Sequence, residues 1–193
     1  NVSSFTSLVD AYAQTNTWEG VSKSEGIFNR ILDTYLVEGD ESFAPNIVTW
    51  TIVMSAWARL AKKNMKRAAS RADRLLQRME SLHKEGRIDY RPDAIAYVTC
   101  LNANAFSRTT EGLQRAREIL DEINERYLDG DDTFKPSARS IRVLIDNWIR
   151  GTSNDRVDEA EQILNRYGDQ LSEMEKDCVE DITDIWKAMV FGW

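Results

Sequence analysis

Apolar residues recur along this chain at i, i+3, i+4, i+7 and i+8, the spacing that places them on one stripe of a helix. Five such sets align: Phe5, Leu8, Val9, Tyr12 and Ala13; Trp50, Val53, Met54, Trp57 and Ala58; Tyr97, Cys100, Leu101, Asn104 and Ala105; Ile141, Leu144, Ile145, Trp148 and Ile149; and Ile182, Ile185, Trp186, Met189 and Val190. Asn104 is the polar member of these columns and requires a buried hydrogen-bond partner. A second helix follows the first in four of the units. Its columns are Ser24, Ile27, Phe28, Ile31; Ala72, Leu75, Leu76, Met79; Ala116, Ile119, Leu120, Ile123; and Ala160, Ile163, Leu164, Tyr167. The small residue opening each set suits a close helix crossing. Thr17, Thr110 and either Asn154 or Asp155 are the expected N-caps of these second helices. Ser172-x-x-Glu175 fits a capping box ahead of the last helix.

The punctuation repeats with the same period. The three prolines, Pro45, Pro92 and Pro136, stand 47 and 44 residues apart. Each closes one pattern: an acidic residue, Gly, three residues, an aromatic, one residue, Pro. It reads Glu38-Gly39 to Phe43-Ala44-Pro45, Glu85-Gly86 to Tyr90-Arg91-Pro92, and Asp129-Gly130 to Phe134-Lys135-Pro136. Glycine after a helical run supplies a left-handed cap, and the following proline keeps the helix from resuming. The chain therefore reads as all-α, a right-handed α-solenoid of helix-turn-helix repeats. Its units fall at 1–45, 46–92, 93–136 and 137–177, with the first helix of a fifth at 178–193.

Composition narrows the chemistry. A single histidine, His83, excludes a His-rich metal site and a two-His metalloprotease motif. His83 shares a column with Tyr35 and Tyr127 and reads as a partly buried packing residue. The two cysteines, Cys100 and Cys178, form no C-x-x-C pair and read as reduced, buried thiols. Asp129-Gly130-Asp131-Asp132 fails the spacing of a calcium loop, and a repeat-closing turn accounts for it. Trp50, Trp57, Trp148 and Trp186 occupy core columns. No Gly-rich phosphate loop, Ser-His-Asp set or paired-carboxylate motif emerges, so no enzyme, cofactor, metal ion or small-molecule substrate is expected. The longest apolar stretch, Ile47 to Ala61, is broken by Thr49, Thr51, Ser55 and Arg59 and falls short of a membrane span. The chain opens at Asn1 with no charged-then-apolar leader and reads as a fragment of a longer protein.

The segment Pro45-Asn46-Ile47-Val48-Thr49-Trp50-Thr51-Ile52-Val53-Met54-Ser55-Ala56-Trp57-Ala58-Arg59 resembles the pentatricopeptide repeat family. Pro92-Asp93-Ala94-Ile95-Ala96-Tyr97 repeats the opening, and Ala160-Glu161-Gln162-Ile163-Leu164 is similar to that family's second helix. Units of 44–47 residues exceed the family's 35, with the surplus in longer second helices and in the Gly-to-Pro loops. The tetratricopeptide signature is absent.

The resemblance implies a concave groove lined by first helices, in which each unit reads one base of single-stranded RNA. It pairs Thr6 with Asn46, a combination for adenine, and Thr51 with Asp93, a combination for guanine. It also pairs Val98 with Ser137 and Arg142 with Cys178, neither of which is a recognised combination. Val48 and Ile95 are the implied apolar clamps on the base, and Arg139 can stack by its guanidinium plane. Arg59 and Arg150 are the implied phosphate cations. A mitochondrial or plastid address follows from the same resemblance.

Charge qualifies that picture. With 25 Lys+Arg against 32 Asp+Glu the net charge is −7, yet residues 59–91 carry 11 basic and only 4 acidic side chains. Lys62, Lys63, Lys66, Arg67, Arg71, Arg74 and Arg78 lie mainly on a second helix, which a solenoid of this kind turns to its convex side, so they read as a solvated or partner-facing surface. Net charge, two units without a readable pair, and Val98 and Phe106 in the groove equally fit another class of protein. That class is a scaffold that binds other proteins, such as a structural subunit of an organellar complex.

Overall fold

The computed structural model describes residues 2–151 and 155–174. These form eight α-helices: α1 (Val2–Ala13), α2 (Trp18–Glu38), α3 (Ile47–Lys62), α4 (Arg67–Lys84), α5 (Ala94–Ser107), α6 (Thr110–Leu128), α7 (Ala138–Ile149) and α8 (Arg156–Met174). No strand occurs among the described residues. Helices pair as α1/α2, α3/α4, α5/α6 and α7/α8, and each first helix packs on the next, α1 on α3, α3 on α5 and α5 on α7. The second helices are longer than the first, at 18–21 residues against 12–16. The fifth first helix, Trp186, Cys178 and Glu175 lie outside the described residues.

The punctuation behaves as its chemistry requires. Gly39, Gly86 and Gly130 have φ of 68°, 68° and 98°, a conformation that strains any residue with a Cβ. The aromatic two residues before each proline folds back onto the leading aromatic of its own unit. Phe43 lies 5.8 Å from Phe5 and Phe134 lies 5.5 Å from Tyr97, centroid to centroid. In the second unit the contact is polar: the Trp50 indole N–H donates to Tyr90 Oη, and Tyr90 donates to the Pro45 carbonyl. Burial pushes the Tyr90 phenol up to about 12, so it stays a donor at neutral pH.

The columns form one core, in which Trp50, Trp57, Tyr97 and Trp148 are buried. Asn104 is buried too and finds its partner in its own helix, donating to the Cys100 carbonyl at 3.0 Å. The Cys100 thiol is buried, donates to the Ala72 carbonyl at 3.2 Å, and is pushed up by burial. His83 is half-buried at the end of α4. Two expectations need correction. The cap of α6 is Thr109, whose extended backbone lets its hydroxyl accept from the Gly112 N–H at 3.1 Å, while Thr110 is already helical. Leu8 is 44% exposed although its column mates Val53, Cys100 and Leu144 are 0% exposed. Those three lie on helices that pack against the preceding pair, and among the described residues α1 has none before it.

Second helices meet mainly through long side chains, and these fall in register. Arg71 on α4 pairs with Glu25 on α2 at 3.3 Å, and Arg115 on α6 pairs with Asp73 on α4 at 3.0 Å. At the third junction the same two columns carry the opposite polarity, with Arg117 on α6 bound to Glu159 on α8. Arg78 reaches Asn29 and Asp33, and Arg166 reaches Asp121, in a second pair of matched columns. Because the pairing columns are the same, Arg117→Glu should lower stability by about 1–2 kcal/mol. Adding Glu159→Arg should restore it by reproducing the polarity of the first two junctions. Urea unfolding of the two variants checks this, and a double variant no more stable than the single one would contradict it.

Candidate functional site

Three first helices begin on the same local device. The residue after each proline sits in extended backbone and caps the helix with a side-chain oxygen. Asn46 Oδ1 accepts from the Thr49 N–H at 3.0 Å, Asp93 Oδ1 accepts from the Ala96 N–H at 2.8 Å, and Ser137 Oγ accepts from the Ser140 N–H at 3.1 Å. Capping uses one oxygen only. Asp93 Oδ2 and Asn46 Nδ2 make no hydrogen bond among the described residues and remain available at the surface.

The second unit gathers the predicted residues into one place. Val48, Thr51, Arg59, Asp93 and Ile95 line a single cleft of about 310 Å³, together with Asp10, Ile47, Ile52 and Ser55. Val48 and Ile95 are 54% and 62% exposed, the two large apolar side chains on its rim. An apolar residue this exposed on each lip suits a flat apolar face inserted between them. Thr51 and Asp93 supply the polar chemistry. The Thr51 hydroxyl donates to the Ile47 carbonyl at 2.9 Å, so its single proton is used and only lone pairs face outward. With the free Asp93 oxygen beside them, this cleft presents acceptors.

The first unit differs in polarity. Thr49 donates its hydroxyl proton to Asn46 Oδ1 at 3.0 Å, so the 3.2 Å contact between Thr6 and Thr49 is one in which Thr6 donates. Outward, Thr6 is left an acceptor and Asn46 Nδ2 a donor. Thr6 and Asn46 are thus joined through Thr49, a residue the sequence pattern did not single out for this role.

Other expected residues are placed differently. Arg59, implied as a phosphate cation, is tied to the end of α1: its Nη2 donates to the Ala13 carbonyl and its Nε to Asn16 Oδ1, both at 3.0 Å. In the third unit Val98 is half-buried, Ser137 is occupied with Ser140, and Arg139 is exposed. Arg142 lies 4.0 Å from Asp146 on its own helix, and its partner column, Cys178, is outside the described residues. Arg150 is exposed at the end of α7. Asp10 and Ser55 were missed, although both stand one turn beyond the reading column, four residues after Thr6 and Thr51. The basic segment also divides. Arg71 and Arg78 are bound to α2, Arg74 donates to the Ser70 carbonyl of its own helix, and Arg87 donates to the Leu36 carbonyl.

No known protein-family model matches the chain, and no curated protein or solved structure matches it. Among the described residues no cluster of His, Cys, Asp and Glu could hold a metal ion, and no helix is long and apolar enough to cross a membrane.

The double use of Asp93 is separable by substitution. Asp93→Asn keeps a capping oxygen and should leave stability within about 0.5 kcal/mol, whereas Asp93→Ala should cost about 1 kcal/mol. Thermal unfolding of the two variants tests this, and equal losses in both would show that the cap contributes nothing.

Proposed function

We propose that this chain is an α-solenoid of pentatricopeptide-like repeats, right-handed in its winding, that binds single-stranded RNA along the row of first helices. The observation that carries the reading is the cleft of the second unit, where two exposed apolar side chains flank two outward-facing acceptors. The Watson–Crick edge of guanine presents two adjacent donors, N1–H and the N2 amino group, and meets two acceptors. Adenine presents a donor and an acceptor, which suits Thr6 and Asn46 in the first unit. Cytosine and uracil offer one donor each between or beside acceptors and leave an Asp93 oxygen facing a lone pair, a repulsive contact. The favoured dinucleotide is therefore a purine pair, A read by the first unit and G by the second. The organellar setting implied by the family is part of the same proposal.

A second reading, a scaffold for another protein, is supported by one specific surface. Ser4, Leu8 and Ala11 are exposed along α1, while their column mates Thr49, Val53 and Ala56, Ala96, Cys100 and Ala103, and Ser140, Leu144 and Asn147 are all buried. On α3, α5 and α7 this face is covered by the preceding helical pair, and on α1 it fits a helical pair of the same chain or of another protein alike.

Asp93→Asn turns an outward acceptor into a donor and should move the preference at that position from G toward A by a factor of about 10 or more, on the scale of about 1–3 kcal/mol per base contact. Binding of short oligoribonucleotides that differ at one base measures this. Retention of the G preference by the variant would contradict base reading by Asp93, and absence of RNA binding at low salt would favour the scaffold.

A further inference from the structure

The two edges of the row of helical pairs differ in charge, one being acidic in the first and third units and the other basic in the second. The Gly-to-Pro edge holds Glu38, Asp40 and Glu41 in the first unit and Asp129, Asp131 and Asp132 against Lys135 in the third, while in the second Arg87 and Arg91 balance Glu85 and Asp89. The opposite edge, where each first helix turns into its second, is neutral in the first unit, with Gln14, Thr15, Asn16 and Thr17, and strongly basic in the second. There, four cations fall within six residues: Lys62, Lys63, Lys66 and Arg67. None of the four is in an ion pair among the described residues, in contrast to Arg71 and Arg78 of the same basic segment, which are committed to α2.

Their directions connect this turn to the groove. Lys63 donates to the Asn16 carbonyl at 3.3 Å, beside the Asn16 side chain that holds Arg59. Lys62 points the other way, its Nζ 5.5 Å from the centre of the Phe106 ring on α5. Arg59 lines the cleft, and Thr51 stands two turns before it on the same strip of α3, about 12 Å along the helix. Lys63 and Lys62 thus reach toward the ends of α1 and α5 from the end of α3, while Lys66 and Arg67 stand at the start of α4, where Lys66 also borders the cleft between α4 and the α5/α6 pair. A polyanion lying along the groove meets attraction at this turn and repulsion at the other edge.

We propose that the turn joining α3 to α4, through Lys62, Lys66 and Arg67 with Lys63 beside them, is the phosphate-binding edge of the groove, which carries the backbone of the strand whose bases enter the cleft. It deepens the RNA reading and rests on it. It also moves the phosphate contact away from Arg59, which is occupied in holding α1, to side chains that are in no ion pair among the described residues. The uneven edge further implies that the strand is gripped most tightly at the second unit, beside the cleft with the strongest acceptor set.

The test compares two triple variants of the whole chain that lose the same charge. Lys62→Ala/Lys66→Ala/Arg67→Ala removes the turn, and Lys23→Ala/Arg30→Ala/Lys84→Ala removes three exposed cations from second helices elsewhere. Affinity for an oligoribonucleotide containing AG is measured over a range of salt concentrations, and inorganic polyphosphate serves as a probe without bases. Each phosphate contact on a single strand contributes about 0.7 to the slope of log K against log salt. The turn variant should flatten that slope by about 2, weaken all sequences alike and keep the G preference, while the control variant stays close to the wild type. A turn variant with an unchanged slope, or a control that flattens it equally, overturns the proposal and leaves the base-reading proposal standing. If the wild type binds polyphosphate through the turn but no RNA, the phosphate edge survives and the base-reading proposal fails. Binding to neither overturns both.

Discussion

The packing of each first helix on the next is the contact on which the rest of the molecule depends. A helical pair of this length cannot bury its apolar stripe alone, and the stripe is closed only when the next pair is laid against it. Small residues make that approach possible. Ala56, Ala61, Ala103 and Ala105 are all buried on α3 and α5, which bring their backbones close. The same crowding shows inside a pair at Gly112, where an added Cβ would fall 2.9 Å from the Asn104 carbonyl oxygen, so α6 cannot cross α5 with a larger residue there. The second helices, by contrast, stand off and are joined by arginine–carboxylate pairs in matched columns. The sign reversal at the third junction makes that junction unlike the first two, so α8 docked on α4 in place of α6 would set Glu159 against Asp73.

Close first helices and bridged second helices expose the N-terminal turns of the first helices on one surface, and the same residues are used twice there. A carboxylate or amide that caps a helix with one atom keeps the other free, and a threonine that returns its proton to the carbonyl four residues earlier keeps its lone pairs outward. Donor and acceptor polarity at the groove is therefore set by hydrogen bonds that the fold needs in any case.

Much of the fold was legible because period and punctuation agree. Among the described residues the glycine-to-proline pattern, the small residues at crossings and the columns apart from Leu8 lie where the period puts them, and the aromatic before each proline gained a reason in its contact with Phe5, Trp50 or Tyr97. What escaped the sequence was what depends on partners a unit away. Arg59 and Lys62 look alike in a one-dimensional reading, yet one is held by Ala13 and Asn16 at the end of α1 and the other lies over Phe106 on α5. Leu8 shares its column with Val53, and only the presence or absence of a preceding pair separates buried from exposed. Thr109 and Thr110 are adjacent and chemically identical, so backbone conformation alone chose the cap.

The central claim is that a base enters between Val48 and Ile95. The most direct measurement is the methyl spectrum of the isotope-labelled chain with and without a short oligoribonucleotide containing AG. Val37 serves as an internal reference, being 85% exposed on α2 and remote from the cleft in its lining. The account predicts ring-current shifts at the Val48 and Ile95 methyls, larger for G than for C at the second position, with Val37 unmoved. Shifts at Val37 alone, or no response at Val48 and Ile95 on saturation with RNA, would contradict it.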